Sequence, residues 1–369
     1  MKTKPQTRIP WWEPQMTGGE LELVREVIES NYLNDGDVTE RFERAVADRV
    51  GSKHAVAVTS GTTAIALALN AAGVRDGDEV VVPDMTFIAT ANAVQLAGGK
   101  PVLADVDERT LNLDPAAFER AITPRTRAVV PVHVSGRAAN MAAIAKVAQR
   151  HGIVVVEDAA EAFISRVDGR ALGTIGIAGC LSFSPNKSIT TGQGGIVLTD
   201  DDDLAGRVRS LKDQGRPVRG TGGDDVHPTV GFNFKFTNLQ AAIGLAQLRV
   251  LDERLERQRR IYSIYAKALA NVPGIRLPGF ELARGETPLW TDAVVDRRDD
   301  LDRWLGERAM GCRRFWFPIH TQAPYRRDDA EFPIATRVAP RALWLPSAFT
   351  LTDDDVATVC ESIVSFLRA

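Results

Sequence analysis

Ile153-Val154-Val155-Val156-Glu157-Asp158 is the stretch on which the fold turns. A run of β-branched residues without polar alternation predicts a central strand buried on both faces. Its two carboxylates fall at the C-terminal end, where open α/β sheets bind ligands. Outward from it, short apolar runs at 80–82, 101–106, 128–134 and 196–198 read as further strands. Helical stretches at 62–72, 86–96, 114–122 and 140–151 alternate with them. At one entry, Asp114-Pro115, a capping carboxylate precedes a proline suited to a first turn. Strand and helix in alternation predict an α/β fold, a sheet with helices on both faces. The acidic run at 200–203 reads as a solvated turn or a helix start. From 238 to about 272 one long helix is expected, apolar in its first half and charged in its second. Such a helix links two units, and places a large domain at 1–250 and a small α+β domain at 251–369 that closes with a helix near 353–367.

A chain of 369 residues exceeds what a single core usually needs, which fits two units. The net charge of -3 gives no electrostatic case for a nucleic-acid or membrane-surface partner. Residues 1–14 are polar with two tryptophans and lack a signal-peptide core, and no run approaches a spanning helix. Three scattered cysteines argue against a disulfide framework or a cysteine metal cluster, and fit a reducing cytoplasm. Five histidines without HxH or HxxxH spacing give no zinc site.

Five segments carry chemistry. Asp158 at its strand end suits a metal, a ribose hydroxyl or a protonated ring nitrogen, and equally a helix cap for Ala159-Ala160. Leu181 to Ser188 drops from apolar residues into a polar loop bearing Lys187, followed by Gly192-Gln193-Gly194-Gly195. The loop lacks Walker spacing. Its lysine reads as a Schiff-base nucleophile or, taken alone, as a solvated surface lysine. At Ser60-Gly61-Thr62-Thr63 a strand meets a helix, and helix amides with small hydroxyls form an anion site or merely a cap. Pro83 to Phe87 presents an aromatic at another strand end, for stacking on a flat ring or for the core. Gly231 to Gln240 reads as a short extended strand with Asn233 and Lys235 on one side, running into the long helix. In combination these supply what pyridoxal phosphate (PLP) requires: phosphate donors, a stacking ring, a carboxylate for the pyridine nitrogen and a lysine for the aldehyde.

On these motifs the sequence resembles the DegT/StrS nucleotide-sugar aminotransferases of fold-type I. The resemblance runs from Gly36 and Phe42-Glu43 through Ser60-Gly61-Thr62, Gly77-Asp78-Glu79-Val80, Pro83 with Thr86-Phe87, Glu157 to Glu161, Ser182-Phe183, Asn186-Lys187, Gly194-Gly195, Gly231 with Asn233, and Gln247-Leu248. It ends in Pro318-Ile319-His320 and Leu345-Pro346. It implies a mostly parallel seven-stranded sheet between helices and a smaller C-terminal domain. It implies that Lys187 carries PLP and shuttles protons, Asp158 pairs with the pyridinium, Phe87 stacks on the ring, and Gly61, Thr62 and Ser182 hold the phosphate. Asn233 of a partner subunit would complete the phosphate site, so a homodimer is expected. Glu161 would sit beside the 3'-oxygen. Glu161 with Asn186 is similar to the perosamine-synthase branch, which aminates carbon 4 of a GDP-linked 4-keto-6-deoxy sugar; Pro185 and the 313–320 segment depart from it. L-Glutamate is the implied amino donor. Asn186, Lys235, His227, Arg216 and His320 are candidates for the nucleotide sugar, whose diphosphate needs cations, though each cation is equally an ordinary surface charge. Other readings are a cyclitol, aminoshikimate-type or 3-keto-sugar aminotransferase, a non-catalytic PLP-binding regulator, or a dehydrogenase, for which the GxGxxG is missing.

Overall fold

The computed structural model describes residues 9–218 and 225–369; the reading of 1–14 falls outside it over 1–8. In chain order the strands are β1 His54–Val58, β2 Glu79–Pro83, β3 Lys100–Ala104, β4 Thr126–Val129, β5 Val154–Asp158, the short pair β6 Arg166–Val167 and β7 Arg170–Ala171, β8 Ala178–Ser182, β9 Gly195–Thr199, β10 Ile275–Arg276, β11 Thr291–Val295, β12 Arg313–Arg314 and β13 Ala342–Leu345. Seven form one sheet in the order β1-β9-β8-β5-β4-β2-β3, with β5 at its centre. Strand β9 is antiparallel to both neighbours and the other pairings are parallel. Strands β1, β2, β4, β5 and β8 therefore end at the same edge.

Period-two alternation buries both faces. Val56, Val58, Val80, Val82, Val156 and Cys180 pack under helix Gly61–Ala71 and helix Ala89–Leu96. On the reverse face Ala57, Leu181 and Leu198 meet Phe42, Phe183 and Phe236, while Val81 and Val129 meet Phe118 and Ile144. The second sheet, β10-β11-β13-β12, is antiparallel and packs Val295, Leu343 and Leu345 against Ile261, Tyr265, Val359 and Ile363 of two helices, Leu251–Leu269 and Asp353–Arg368. No helix among the described residues is long and apolar enough to cross a membrane.

Several elements differ from the sequence reading. The long helix is two, Asn238–Leu248 and Leu251–Leu269, because Val250 leaves helical geometry at φ -110°, ψ 9°. The break is held by side chains that reach across it: Arg254 Nη1 donates to Gln247 Oε1 at 2.6 Å and to the Ser188 carbonyl at 3.0 Å, and Gln247 Nε2 donates to Glu20. The expected 231–237 strand reduces to two bridges, Asn233 to Asp213 and Lys235 to Val58. The 86–96 helix starts only at Ala89, which leaves Thr86 and Phe87 in the preceding loop. Strand β4 stops at Val129 ahead of Pro131, which has no N–H to continue the ladder. No helix follows Asp158; its carboxylate instead accepts the Ala160 amide at 3.1 Å in a turn. The acidic run begins a helix, Asp202–Lys212, with Asp201 accepting the Leu204 amide. Helices Gly19–Glu29 and Asp37–Val50 escaped the sequence reading, being carried by packing of Leu23 and Val27 on Ala242 and of Phe42 on Phe183 and Phe236 rather than by strong entry signals.

Candidate active site

The common strand edge opens into a cavity of about 500 Å³. One side is an anion cradle. Ser60 caps helix Gly61–Ala71, and its side chain is spent on the Thr63 amide in a capping box. The Gly61 and Thr62 amides at the first turn have no intrahelical acceptor and carry the positive end of the helix dipole. The Ser182 hydroxyl joins them from the end of β8: a Cβ on Gly61 would lie 2.9 Å from Ser182 Cβ. Gly195 of β9 is equally constrained, since a Cβ there would lie 2.3 Å from the Ser60 carbonyl oxygen. Glycines thus bring cap, strand and hydroxyl close enough to surround one tetrahedral anion.

Asp158 ends the central strand. Thr90 Oγ1 donates to its Oδ2 at 2.8 Å, and Thr86 Oγ1 lies 3.3 Å from Thr90 Oγ1. Burial pushes the Asp158 carboxyl above the ordinary range, against the bonds from Thr90 and Ala160. No cation among the described residues forms an ion pair with it. A protonated ring nitrogen would give this carboxylate a counter-charge, so the site fits a pyridinium.

Lys187 follows Ser184 by a tight turn, its amide donating to the Ser184 carbonyl. Its Nζ lies 3.3 Å from Glu161 Oε1 and 5.1 Å from the centre of the Trp290 indole. Burial raises the Glu161 pKa; Lys187 and the Ser135 amide, which donates to Glu161 Oε2 at 2.9 Å, oppose it. Ser135 sits in the left-handed region at φ 54°, a costly place for serine. It is held there by donating to Asp292 Oδ1 at 2.6 Å and accepting from Trp344 Nε1 at 3.1 Å. That strain aims its amide at Glu161.

The cavity therefore gathers Gly61, Thr62, Phe87, Asp158, Glu161, Ser182, Asn186 and Lys187. Phe87 is 53% exposed at the cavity wall. Asn186 Oδ1 accepts from Ser184 Oγ at 2.9 Å. Five candidates lie outside its wall. Asn233 is exposed, while Lys235 and Arg216 pair with Asp213 at 2.6 and 3.6 Å. His227 binds the Gln214 carbonyl and Asp225. His320 is corrected outright as a ligand of this cavity. It is fully buried, Nδ1 2.6 Å from Asp84 Oδ2, with its ring stacked on Phe332. Its amide also donates to Asp84 Oδ1 at 2.7 Å, so the Pro318-Ile319-His320 turn locks the loop after β2. The sequence reading missed Thr90, Ser135, Arg313 and the indoles of Trp290, Trp316 and Trp344, four of which line the cavity from the C-terminal part of the chain. Only Thr90 left a sequence signal, four residues after Thr86 within the stretch expected to be helical at 86–96.

The DegT/DnrJ/EryC1/StrS aminotransferase family model matches residues 14–364. The GDP-perosamine synthase of Caulobacter vibrioides is 40% identical over 367 residues, covering 96% of this chain and 97% of that protein. The spore coat polysaccharide biosynthesis protein SpsC of Bacillus subtilis is 37% identical, with 98% and 97% covered. The crystal structure of S. venezuelae DesV in complex with a ketimine intermediate superposes with a TM-score of 0.89 at 34% identity, over 95% of this chain and 94% of that one. A match of this length takes in both sheets and every residue of the cavity wall, and the chain belongs to the DegT/DnrJ/EryC1/StrS family of PLP-dependent sugar aminotransferases.

Proposed function

We propose that the chain moves the amino group of L-glutamate to carbon 4 of a nucleotide-linked 4-keto-6-deoxyhexose, giving a 4-amino sugar and 2-oxoglutarate. The carrying observation is the Lys187–Glu161 pair at 3.3 Å, beside a buried Asp158 that forms no ion pair among the described residues. The Caulobacter relative, a GDP-perosamine synthase, supports the sugar class.

In this reading Gly61, Thr62 and Ser182 hold the phosphate, Phe87 covers a ring face and Asp158 keeps the ring nitrogen protonated. When bound, the cofactor would supply an electron sink for the electron pair that the departing α-proton leaves behind. Lys187 Nζ takes that proton from the α-carbon of glutamate and, in the second half-reaction, controls protonation at carbon 4 of the sugar. Glu161 orients Nζ. Trp290, Trp316 and Trp344 keep water from the reacting carbon. The test uses purified enzyme with L-glutamate, then GDP- and dTDP-4-keto-6-deoxyhexoses, a 3-keto sugar and a keto-inositol, with product masses. We expect conversion of PLP to its amine form and ping-pong turnover of a 4-keto sugar. Turnover of the keto-inositol alone would replace the substrate reading, and no change with L-glutamate would favour a regulator.

We also propose a cytoplasmic homodimer in which Asn233 of the partner subunit reaches the phosphate. Asn233 is exposed and outside its own chain's cavity, and Val226, Val230 and Phe317 expose apolar surface at 62%, 85% and 72%. Mixing Lys187→Ala and Asn233→Ala chains, each inactive at limiting PLP, then restores one intact site in each mixed dimer. With random exchange that is about a quarter of wild-type activity. Failure to complement, with mixed dimers verified by mass, would leave Asn233 acting within its own chain.

A further inference from the structure

The cavity holds a second cation. Arg313 begins β12 and lines the wall, while Arg314 points to the opposite side of the strand, where Asp302 and Asp299 take it at 3.0 and 3.5 Å. Arg313 has no carboxylate partner among the described residues. Its guanidinium carbon lies 4.9 Å from the centre of the Trp11 ring and 5.6 Å from that of Trp344. Stacking on indole faces fixes a guanidinium while leaving its in-plane N–H fork unspent. That fork is the geometry that binds a planar carboxylate through two bonds.

Charge makes the same case. The titratable groups of the wall are Asp158, Glu161, Lys187 and Arg313. Lys187 is engaged by Glu161, and a bound phosphate adds further negative charge. Without Arg313 the cavity is net negative, and an anionic amino acid entering it is repelled.

We infer that Arg313 is the carboxylate-recognition residue for the amino donor, holding a carboxylate of an amino dicarboxylic acid while its amine is presented to the Lys187 side of the cavity. This rests on the reading of the site as a glutamate-dependent aminotransferase. A single fixed arginine matches one carboxylate, whereas a sugar diphosphate carries about twice that charge and would be left half unpaired.

The experiment compares holoenzyme with Arg313→Gln and Arg313→Lys. Glutarate, a dicarboxylate without an amine, is titrated by calorimetry, GDP is titrated in parallel, and L-glutamate is followed by the PLP absorbance in single turnovers. PLP content and thermal midpoint are recorded to verify folding. Arg313→Gln is expected to weaken glutarate and L-glutamate about 10- to 100-fold, with the lysine variant between it and wild type because charge survives and the fork does not. GDP binding is expected to stay within about twofold of wild type, since its diphosphate does not use the fork. Unchanged glutarate affinity in Arg313→Gln, or in Arg313→Lys should the glutamine variant not fold, overturns the inference. So does a loss of GDP affinity as large as that of glutarate, which would assign the residue to the diphosphate, or a wild type that binds no glutarate. A wild type that binds glutarate through Arg313 but does not react with L-glutamate sinks the donor reading and leaves the carboxylate site standing.

Discussion

Lys187→Ala abolishes turnover, by about 10⁴-fold or more with L-glutamate and a keto sugar, since the variant loses both the covalent anchor and the proton-transfer base. The visible band of lysine-bound PLP disappears with it. The loss is chemical rather than structural, because Lys187 lies in a loop at the cavity and its polar contacts are the Ser184 carbonyl and Glu161. The variant therefore folds, but it leaves Glu161 buried without its counter-charge. Burial already holds the Glu161 pKa above the ordinary carboxylate value, and removing Lys187 raises it further. A carboxyl whose folded pKa exceeds its unfolded one has its full stability contribution below the unfolded pKa and loses it as pH rises through the folded pKa. The thermal midpoint of Lys187→Ala should thus match wild type most closely in mild acid and fall behind it as pH rises. Absorbance, single-turnover rates and calorimetry between pH 5 and 8.5 check this. Turnover near wild type with an intact band would remove Lys187 from the centre of the chemistry.

Strand β5 was legible because local pattern and tertiary role coincide: an uninterrupted β-branched run has one place to go, the middle of a covered sheet. The chemistry was legible only in combination. Lys187 alone reads as a surface lysine, and Asp158 alone as a cap. What distinguishes them is that β1, β5 and β8 end on one edge, and edge position belongs to topology. Where meaning lies entirely in distant partners, the sequence is silent or misleading. His320 sits in a motif and looks like a ligand, yet its partner is Asp84, 236 residues away. Ser135 has no local signal, and its strained backbone is imposed by Asp292 and Trp344. The break at Val250 contradicts good helical periodicity because Arg254 reaches Gln247 and Ser188 across it. Arg313 and Arg314 are adjacent and chemically identical, and only strand alternation and the placing of Asp299 and Asp302 separate the free one from the paired one.

Asp158→Asn separates function from stability in opposite directions. Turnover should fall about 10²- to 10³-fold, because a neutral amide no longer keeps the ring nitrogen protonated and the electron sink weakens. PLP should still bind, since Lys187 and the phosphate cradle are untouched. Stability of the protein stripped of PLP should move the other way. In that state Asp158 is a buried carboxylate with a hydroxyl and an amide as donors and no ion-pair partner among the described residues, and burial raises its pKa. Asparagine keeps an acceptor for the Ala160 amide and removes the charge. A raised folded pKa means that wild type loses stability as pH climbs through it, while the variant has nothing to titrate there. The variant's advantage should therefore be smallest near pH 4 and widen toward pH 8, where each kcal/mol gained raises the midpoint by about 2 °C in a chain of this size. Asp292 does not feel Asp158 and cancels in the difference, whereas Glu161, whose raised pKa the Asp158 charge helps to hold up, is raised less in the variant, which adds to the same trend. Calorimetry of PLP-free wild type and variant across that range checks it. If the variant is the less stable of the two at pH 8, Asp158 is a structural carboxylate satisfied by Thr90 and Ala160, and the counter-ion for the cofactor must be sought elsewhere in the wall. If it is the more stable, the fold is holding an unfavourable charge in place for a partner that arrives only with PLP.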